Sequence, residues 1–389
     1  MQNTKFIALD IGSGKLRLCA VEVNEGVINI RESFEIEYDG VVDGQFLEDS
    51  TELQDALREL FSDVNTEEYS KVYVNVPSDF CGLTKKTITK TFSTPIEFDN
   101  ALRNEFLKNA QIDPTEIDGG VVLKKILGDF LPHSSTHIAG ERGQEDLSAE
   151  VDFIYASKAF IEKMNELLQN CGMTDVSYKC GIVEQAMQMT KSSFRDMGVV
   201  LIDTGYLLTS VIAVKGDNVE SLYSFDLGGA HITTDLSEAF NIPFKVAENL
   251  KQKVLLTVDP SEVDYYVVAD EKTQKEYELK ASDVNQVVRA RIEHIAKMVS
   301  KCVTDEQGIY QFLVTGGGLC EMKGALDILS SALGVVCKAE KLEMGVLEEY
   351  SESALASLIK SAYMSEKIGY QNMPFYKKWW QKIKSVFKR

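Results

Sequence analysis

Short apolar runs broken by polar turns dominate the chain, and two stretches repeat one plan. Residues 6–9 (Phe-Ile-Ala-Leu) predict a buried strand and residues 10–15 a tight turn. Residues 16–23 predict a second strand, apolar mostly at alternate positions. Residues 199–214 run strand, Asp203-Thr204-Gly205 turn, strand again. Laid on the first copy, Asp203 falls on Asp10 and Gly205 on Gly12. This repetition half a chain apart predicts two homologous lobes that each present a hairpin to a shared cleft.

The segments between fit an α/β chain. Strands at 27–30 and 32–38 continue the first copy. A helix over 50–61 follows, with Ser50 as N-cap and Leu53, Leu57 and Leu60 on one face, then a buried strand at 71–76. Segment 84–151 reads as an inserted small α+β domain. It has a polar β-branched run at 84–91, a helix over 98–110, strand character at 121–127 and a loop-like stretch at 133–146. A strand at 150–156, a helix over 158–171 and a second helix over 182–189 containing Glu184 follow. Beyond the second copy, a strand at 222–227 leads into a helix opened by Gly228-Gly229, and 245–251 is helical. Residues 263–269 and 276–280 predict a hairpin, and 284–303 a long amphipathic helix. A strand at 310–315 runs into Gly316-Gly317-Gly318 and a helix from about 322 to 333, and 353–363 is the last helix of the body.

The first turn carries Asp10, Gly12, Ser13, Gly14 and Lys15. Its glycines would let backbone N–H groups approach a phosphate, Ser13 and Lys15 would donate, and Asp10 would hold a hydrated cation. An ordinary hairpin turn fits the same residues. A Walker A loop is excluded by Leu9 and Leu16, which stand where glycine and Ser or Thr are needed. A dinucleotide fingerprint is excluded by Arg17 and by the strand that follows. The triple glycine between strand and helix also suits a nucleotide.

The chain's 389 residues, 44% hydrophobic, suffice for two domains or one bilobed unit. A net charge of −19 argues against nucleic acid as a partner of the body. Seven scattered cysteines without a CxxC pair read as buried thiols. His133 and His137 are four apart in a loop-like stretch and do not make a metal set. The N-terminus lacks a signal-peptide pattern, and no apolar run approaches the roughly 18 residues that span a bilayer.

The last residues reverse the charge. Lys377, Lys378, Lys382, Lys384, Lys388 and Arg389 give +6, so the remainder carries −25. On a helix, Phe375, Tyr376, Trp379, Trp380, Ile383, Val386 and Phe387 fall within an arc of about 140°, with the cations opposite. A helix docked on the acidic body, or a nucleic-acid tail, would share the charge. The aromatic face points to anionic membrane lipid.

Together these motifs resemble the actin, sugar kinase and Hsp70 superfamily. Asp10-Ile11-Gly12 is similar to its first phosphate motif, Asp203-Thr204-Gly205 to its second, and Thr315-Gly316-Gly317-Gly318 to its adenosine motif. Residues 228–236 (Gly-Gly-Ala-His-Ile-Thr-Thr-Asp-Leu) and the following 242–251 resemble the signature of the bacterial cell-division family FtsA. The resemblance implies a duplicated actin-like (ribonuclease H-like) two-lobe fold with an inserted α+β subdomain and a C-terminal amphipathic helix. It divides the chain into lobe I at 1–83 and 152–197, the insertion at 84–151, lobe II at 198–228 and 306–366, a subdomain at 229–305, a linker at 367–374 and a membrane helix at 375–389.

The same resemblance implies ATP with Mg²⁺ as cofactors and at most weak hydrolysis. Asp10 and Asp203 would order the Mg²⁺ through water. Gly12, Ser13, Lys15, Gly205, Gly228 and Gly229 belong to the implied cofactor site, Glu248 and Lys251 approach the nucleoside, and Gly316, Gly317 and Gly318 pack on the adenosine. Glu184 occupies the position of the superfamily's acidic or amide residue on the first connecting helix. The implied partners are the C-terminal peptide of the tubulin-like FtsZ, further copies of the chain in a filament, other division proteins and membrane lipid. Arg291 and Arg289 are the candidate FtsZ contacts. Phe375, Trp379, Trp380, Ile383, Phe387, Lys377, Lys378 and Lys382 are the candidate membrane contacts at the cytoplasmic face of the plasma membrane. The chain departs from the family at Tyr206 and Leu207, which replace glycines of the second phosphate turn and would block backbone approach to the β- and γ-phosphates. A cytoplasmic pilus adaptor of PilM type and a small-molecule kinase of the superfamily are the alternatives.

Overall fold

The structure is a computed structural model that describes residues 4–38, 45–69, 71–91, 100–130, 146–303 and 310–372. In chain order, β1 (Thr4–Ile11), β2 (Lys15–Asn24) and β3 (Val27–Glu37) form a meander, followed by α1 (Gln45–Glu48), α2 (Thr51–Ser62) and β4 (Val72–Val76). The next segment contributes β5 (Cys81–Thr91), α3 (Asn100–Asn109), β6 (Val121–Phe130) and β7 (Asp146–Ala156). Helix α4 (Lys158–Gln169), β8 (Val176–Cys180), α5 (Gly181–Met189) and α6 (Ser192–Arg195) lead to a second meander of β9 (Val199–Thr204), β10 (Thr209–Lys215) and β11 (Asn218–Phe225). Then come α7 (Gly229–Phe240), α8 (Phe244–Lys253), the hairpin β12 (Tyr265–Ala269) and β13 (Glu276–Lys280), and α9 (Ala281–Cys302). The chain continues with β14 (Gln311–Thr315), α10 (Ala325–Leu333), β15 (Cys337–Ala339) and α11 (Ser353–Asn372).

The two halves build the same five-stranded sheet. One has the order β3-β2-β1-β4-β8 and the other β11-β10-β9-β14-β15. In each, an antiparallel meander is extended by two parallel strands reached through helical crossovers. The central strands are buried on both faces, which is why they read as continuous apolar runs. Ile7, Leu9 and Ile11 of β1 face α2 and α4, whereas Phe6 and Ala8 face α11. Likewise Val200 and Ile202 of β9 face the α7–α10 side, whereas Val199 and Leu201 face α5.

Two helices therefore lie between the sheets, α5 against the second and α11 against the first, and they pack on one another. Helix α11, grouped by the sequence reading mostly with the second lobe, covers the first lobe's sheet through Leu355, Ala356, Leu358, Ile359 and Ala362. The Tyr73 hydroxyl donates to Glu366 at 2.6 Å, and Lys71 pairs with the same carboxylate at 3.2 Å. The small β5-β7-β6 sheet has its own core around Phe106 and Phe153. It also meets the second lobe: Ile126 and Ile154 pack with Val199, Ile212 and Val219, and the buried Asp152 accepts from Val219 N–H at 2.9 Å.

Several local expectations change. Ser50 makes no side-chain cap; Asp49 instead accepts from Thr51 N–H at 3.1 Å. The helix after the triple glycine begins at Ala325, not near 322, because turns occupy the residues between. The last body helix runs on to Asn372, across most of the stretch read as a linker. Strands β8 and β15 escaped the sequence reading because each is short and only partly buried. His133, His137 and all candidate membrane residues from Phe375 onward lie outside the described residues.

Helix α11 is expected to hold the first lobe together although it is remote in sequence. Leu358→Ala, at a fully buried position, should cost about 2–5 kcal/mol in urea unfolding. A change below the error of that measurement would show that α11 does not belong to the first lobe's core.

Candidate functional site

The repeated turns arise from one hydrogen-bond pattern. Gly12 N–H donates to Lys15 O at 3.1 Å, and Gly205 N–H donates to Leu208 O at 2.8 Å. Each turn follows a carboxylate near the end of a central strand, Asp10 on β1 and Asp203 on β9. The turns face a cleft of about 860 Å³ whose lining includes Asp10, Gly12–Lys15, Arg17, Asp203, Gly205–Leu208, Glu248, Lys251 and Gly316–Gly318.

Asp10 accepts from Asn75 Nδ2 at 3.0 Å, and Asp203 accepts from Gln185 Nε2 at 2.8 Å. Burial raises both carboxyls above their ordinary value. Asp203 is pushed up to about 6, first by burial and then by the charge of Asp10. The Arg17 guanidinium opposes both shifts but pairs with Glu35 at 3.3 Å and donates to Ser351 O and Oγ. Two buried carboxylates, both raised by desolvation and Asp203 also by the charge of Asp10, are the donor set a hard divalent cation takes.

The glycine clusters pack backbone on backbone behind the second turn. Gly318 N–H donates to Thr204 O, Gly229 N–H to Gly205 O and Ala230 N–H to Tyr206 O, at 2.8, 2.9 and 2.8 Å. A Cβ on Gly318 would stand 2.4 Å from Gly205 O, and Gly316, at φ +87°, would place one 2.3 Å from Asp203 Oδ1. The first N–H groups of α7 are thereby satisfied within the protein. Gly228 N–H donates to His231 Nδ1 at 3.1 Å; burial, then the Arg291 charge, lowers that imidazole's pKa and keeps Nδ1 an acceptor.

Beside the start of α7, Lys251 Nζ donates to Glu248 at 2.8 Å, to Thr233 Oγ1 at 3.0 Å and to Gly229 O at 3.2 Å. Lys15 pairs with Glu35 at 2.8 Å and Glu37 at 3.7 Å. Ser13 Oγ accepts from Leu207 N–H at 2.9 Å, directly across the cleft.

Glu184 does not line the cleft. It is buried against Lys124 at 2.9 Å. Burial raises its carboxyl, and the charges of Lys124 and Lys179 outweigh this and leave it below its ordinary value. The helix residue that reaches the cleft is the next one, Gln185. Arg291 is engaged by Asp235 through two bonds of 2.5 and 2.6 Å. Arg289 instead borders a groove of about 460 Å³ with Asp259, Pro260 and Asn285, bonding Leu256 O at 3.1 Å and Asp259 at 3.5 Å. Asn75, Gln185 and Arg17 are cleft residues that the sequence alone did not assign to the site. Arg17 was legible as the residue two beyond Lys15 on the same strand face, whereas Asn75 and Gln185 needed the tertiary fold.

A family model described as cell division protein FtsA matches residues 200–359. The chain is 18% identical over 401 residues to a cell division protein FtsA of Staphylococcus epidermidis, an alignment covering 96% of this chain and 82% of that protein. Among solved structures, the PilM–PilN type IV pilus biogenesis complex matches at a TM-score of 0.58 and 15% identity, covering 92% of this chain and 98% of that one. MreB5 of Spiroplasma citri bound to ADP matches at 0.57 and 13% identity, covering 95% and 99%. The chain thus has an actin-like fold of two duplicated lobes. Its sequence resemblance is to the FtsA cell-division family.

The raised Asp203 carboxyl gives a pH prediction. Its native pKa, about 6, exceeds the ordinary 3.8, so the native state holds this proton more tightly than the unfolded chain. The stabilisation is full below the unfolded value and is lost as pH rises through about 6. Without divalent cations, Asp203→Asn should melt several degrees above the parent at pH 7.5, with the difference shrinking by pH 4.5. An equal difference at both pH values would show that the buried charge is not Asp203.

Proposed function

We propose that the chain is an FtsA-type division protein that binds ATP with Mg²⁺, polymerises on the inner face of the plasma membrane and tethers FtsZ there. The observation that carries this reading is the match of residues 200–359 to the FtsA family model on a two-lobed fold. Asp10 and Asp203 suit Mg²⁺ and its waters, because hard cations prefer oxygen ligands. Glu248, Lys251 and Gly316–Gly318 line the end of the cleft suited to the nucleoside. The MreB5 neighbour, bound to ADP, supports a nucleotide in the same cleft. Bound cation would neutralise the charge shared by Asp10 and Asp203; this chain's residues would position the ligand and exclude water.

The groove beside Arg289, in the subdomain at 229–305, is the surface proposed for the FtsZ peptide, with Arg291 held back by Asp235. The tail supplies the membrane contact through its aromatic face, and its cations add about 1 kcal/mol each near an anionic surface. A pilus adaptor needs no such tail, and a kinase needs a catalytic carboxylate facing a substrate, a role that Glu184, paired with Lys124, does not fill.

Purified protein on anionic lipid with ATP should form lipid-bound filaments that recruit FtsZ, seen by electron microscopy; bare lipid both with and without FtsZ would refute the reading. Trp379→Asp with Trp380→Asp should abolish co-sedimentation with anionic liposomes while leaving FtsZ binding in solution unchanged. Unaltered co-sedimentation would rule out the tail as the anchor.

A further inference from the structure

The two turns that face each other across the cleft touch directly. Leu207 N–H is bonded to Ser13 Oγ at 2.9 Å. The Tyr206 ring lies against Gly14, where an added Cβ would stand 2.7 Å from Cγ and Cδ1 of the ring. Several of the groups a phosphoryl oxygen would need are engaged by the protein. Leu207 N–H and Ser13 Oγ hold each other, and the first N–H groups of α7 are held by Gly205 O and Tyr206 O. Lys15 is paired with Glu35 and Glu37, Arg17 with Glu35, and Lys251 with Glu248. The Tyr206 ring and the Ser13–Leu207 bond therefore occupy the turn end of the cleft, where a chain of phosphates would lie.

We infer that Tyr206, Leu207 and Ser13 form a latch between the two lobes. The latch makes with protein groups the bridge between the turns that a bound polyphosphate would otherwise make. Tyr206 is accordingly a specificity-determining residue: it favours ligands with a short phosphate chain and admits a triphosphate only when the turns separate. Glycine at this position would leave the ring's space to the ligand. The inference rests on the nucleotide reading of the cleft.

Calorimetric titration of the full chain with adenosine, ADP and ATP, each with Mg²⁺, tests this. The parent should bind ATP no tighter than adenosine. Tyr206→Gly should gain at least about tenfold in ATP affinity and change less than about twofold for adenosine. Tyr206→Ala, which keeps a side chain in the turn, should move the same way by a smaller factor if the glycine variant fails to fold. In hydrogen exchange of the ligand-free protein, the Leu207 amide should be protected in the parent and lose protection in both variants. Tighter binding of ATP than adenosine by more than tenfold in the parent, or equal gains for all three ligands in the variant, would overturn the latch. An unprotected Leu207 amide in the parent would do so independently. Failure of all three ligands to bind parent and variants alike would remove the nucleotide reading itself, and the selectivity with it.

Discussion

The carbonyl oxygens of Thr204, Gly205 and Tyr206 are each held by a backbone N–H from another part of the second lobe. This three-way contact fixes the site. It joins the turn after β9 to the start of α7 and to the loop after β14, and it requires glycine at the crossing points because no Cβ fits there. Buried backbone groups left unpaired at this junction would each cost about 1–3 kcal/mol, so the three segments hold one arrangement. The glycines of the three motifs thus serve first as structural joints. Their ability to bring backbone close to a ligand follows from their closeness to one another.

The duplicated sheets place their carboxylates in equivalent positions but surround them differently. Across the antiparallel ladder, Asp10 faces Arg17, whereas Asp203 faces Ser210. Across the parallel ladder, Asp10 faces Asn75, whereas Asp203 faces Thr315. The first lobe therefore supplies a guanidinium and an amide beside its carboxylate, and the second supplies hydroxyl side chains and borrows Gln185 from the helix between the lobes. Duplication preserved the backbone plan and left the neighbours free to diverge. The carboxylate without a cation opposite it, Asp203, is the one that the charge of the other also raises.

The sequence made the backbone plan legible because period and turn chemistry are local. The buried face of α4 (Phe160, Ile161, Met164, Leu167, Leu168) follows from helical spacing, and the strand–turn–strand repeat follows from alternating hydrophobicity around an Asp-x-Gly turn. What stayed hidden was set by contacts between distant segments. Glu184 and Gln185 are adjacent on α5, and only the packing of that helix decides that Lys124 takes the first and the cleft the second. Arg289 and Arg291 look alike on α9 until Asp235 of α7 is placed beside Arg291. The role of Tyr206 was legible as a loss of glycine, but its contact with Gly14 depends on how the lobes face each other.

The electrostatics of the cleft bear on what enters it. Asp10, Glu37, Asp79, Asp203, Asp226, Glu248, Glu321 and Glu349 are among the carboxylates lining it, against Lys15, Arg17, Lys245 and Lys251. All four of these cations are already paired with carboxylates. An unaccompanied polyphosphate would meet a field of its own sign, and burial strengthens that repulsion because the effective dielectric is lower than in water. A divalent cation taken up beside Asp10 and Asp203 would reverse the local sign and lower the same two carboxyls from their raised values. Cation and polyphosphate would therefore be coupled in this cleft, each stabilising the other. A neutral nucleoside would escape this coupling, since it carries no charge for the carboxylates to repel.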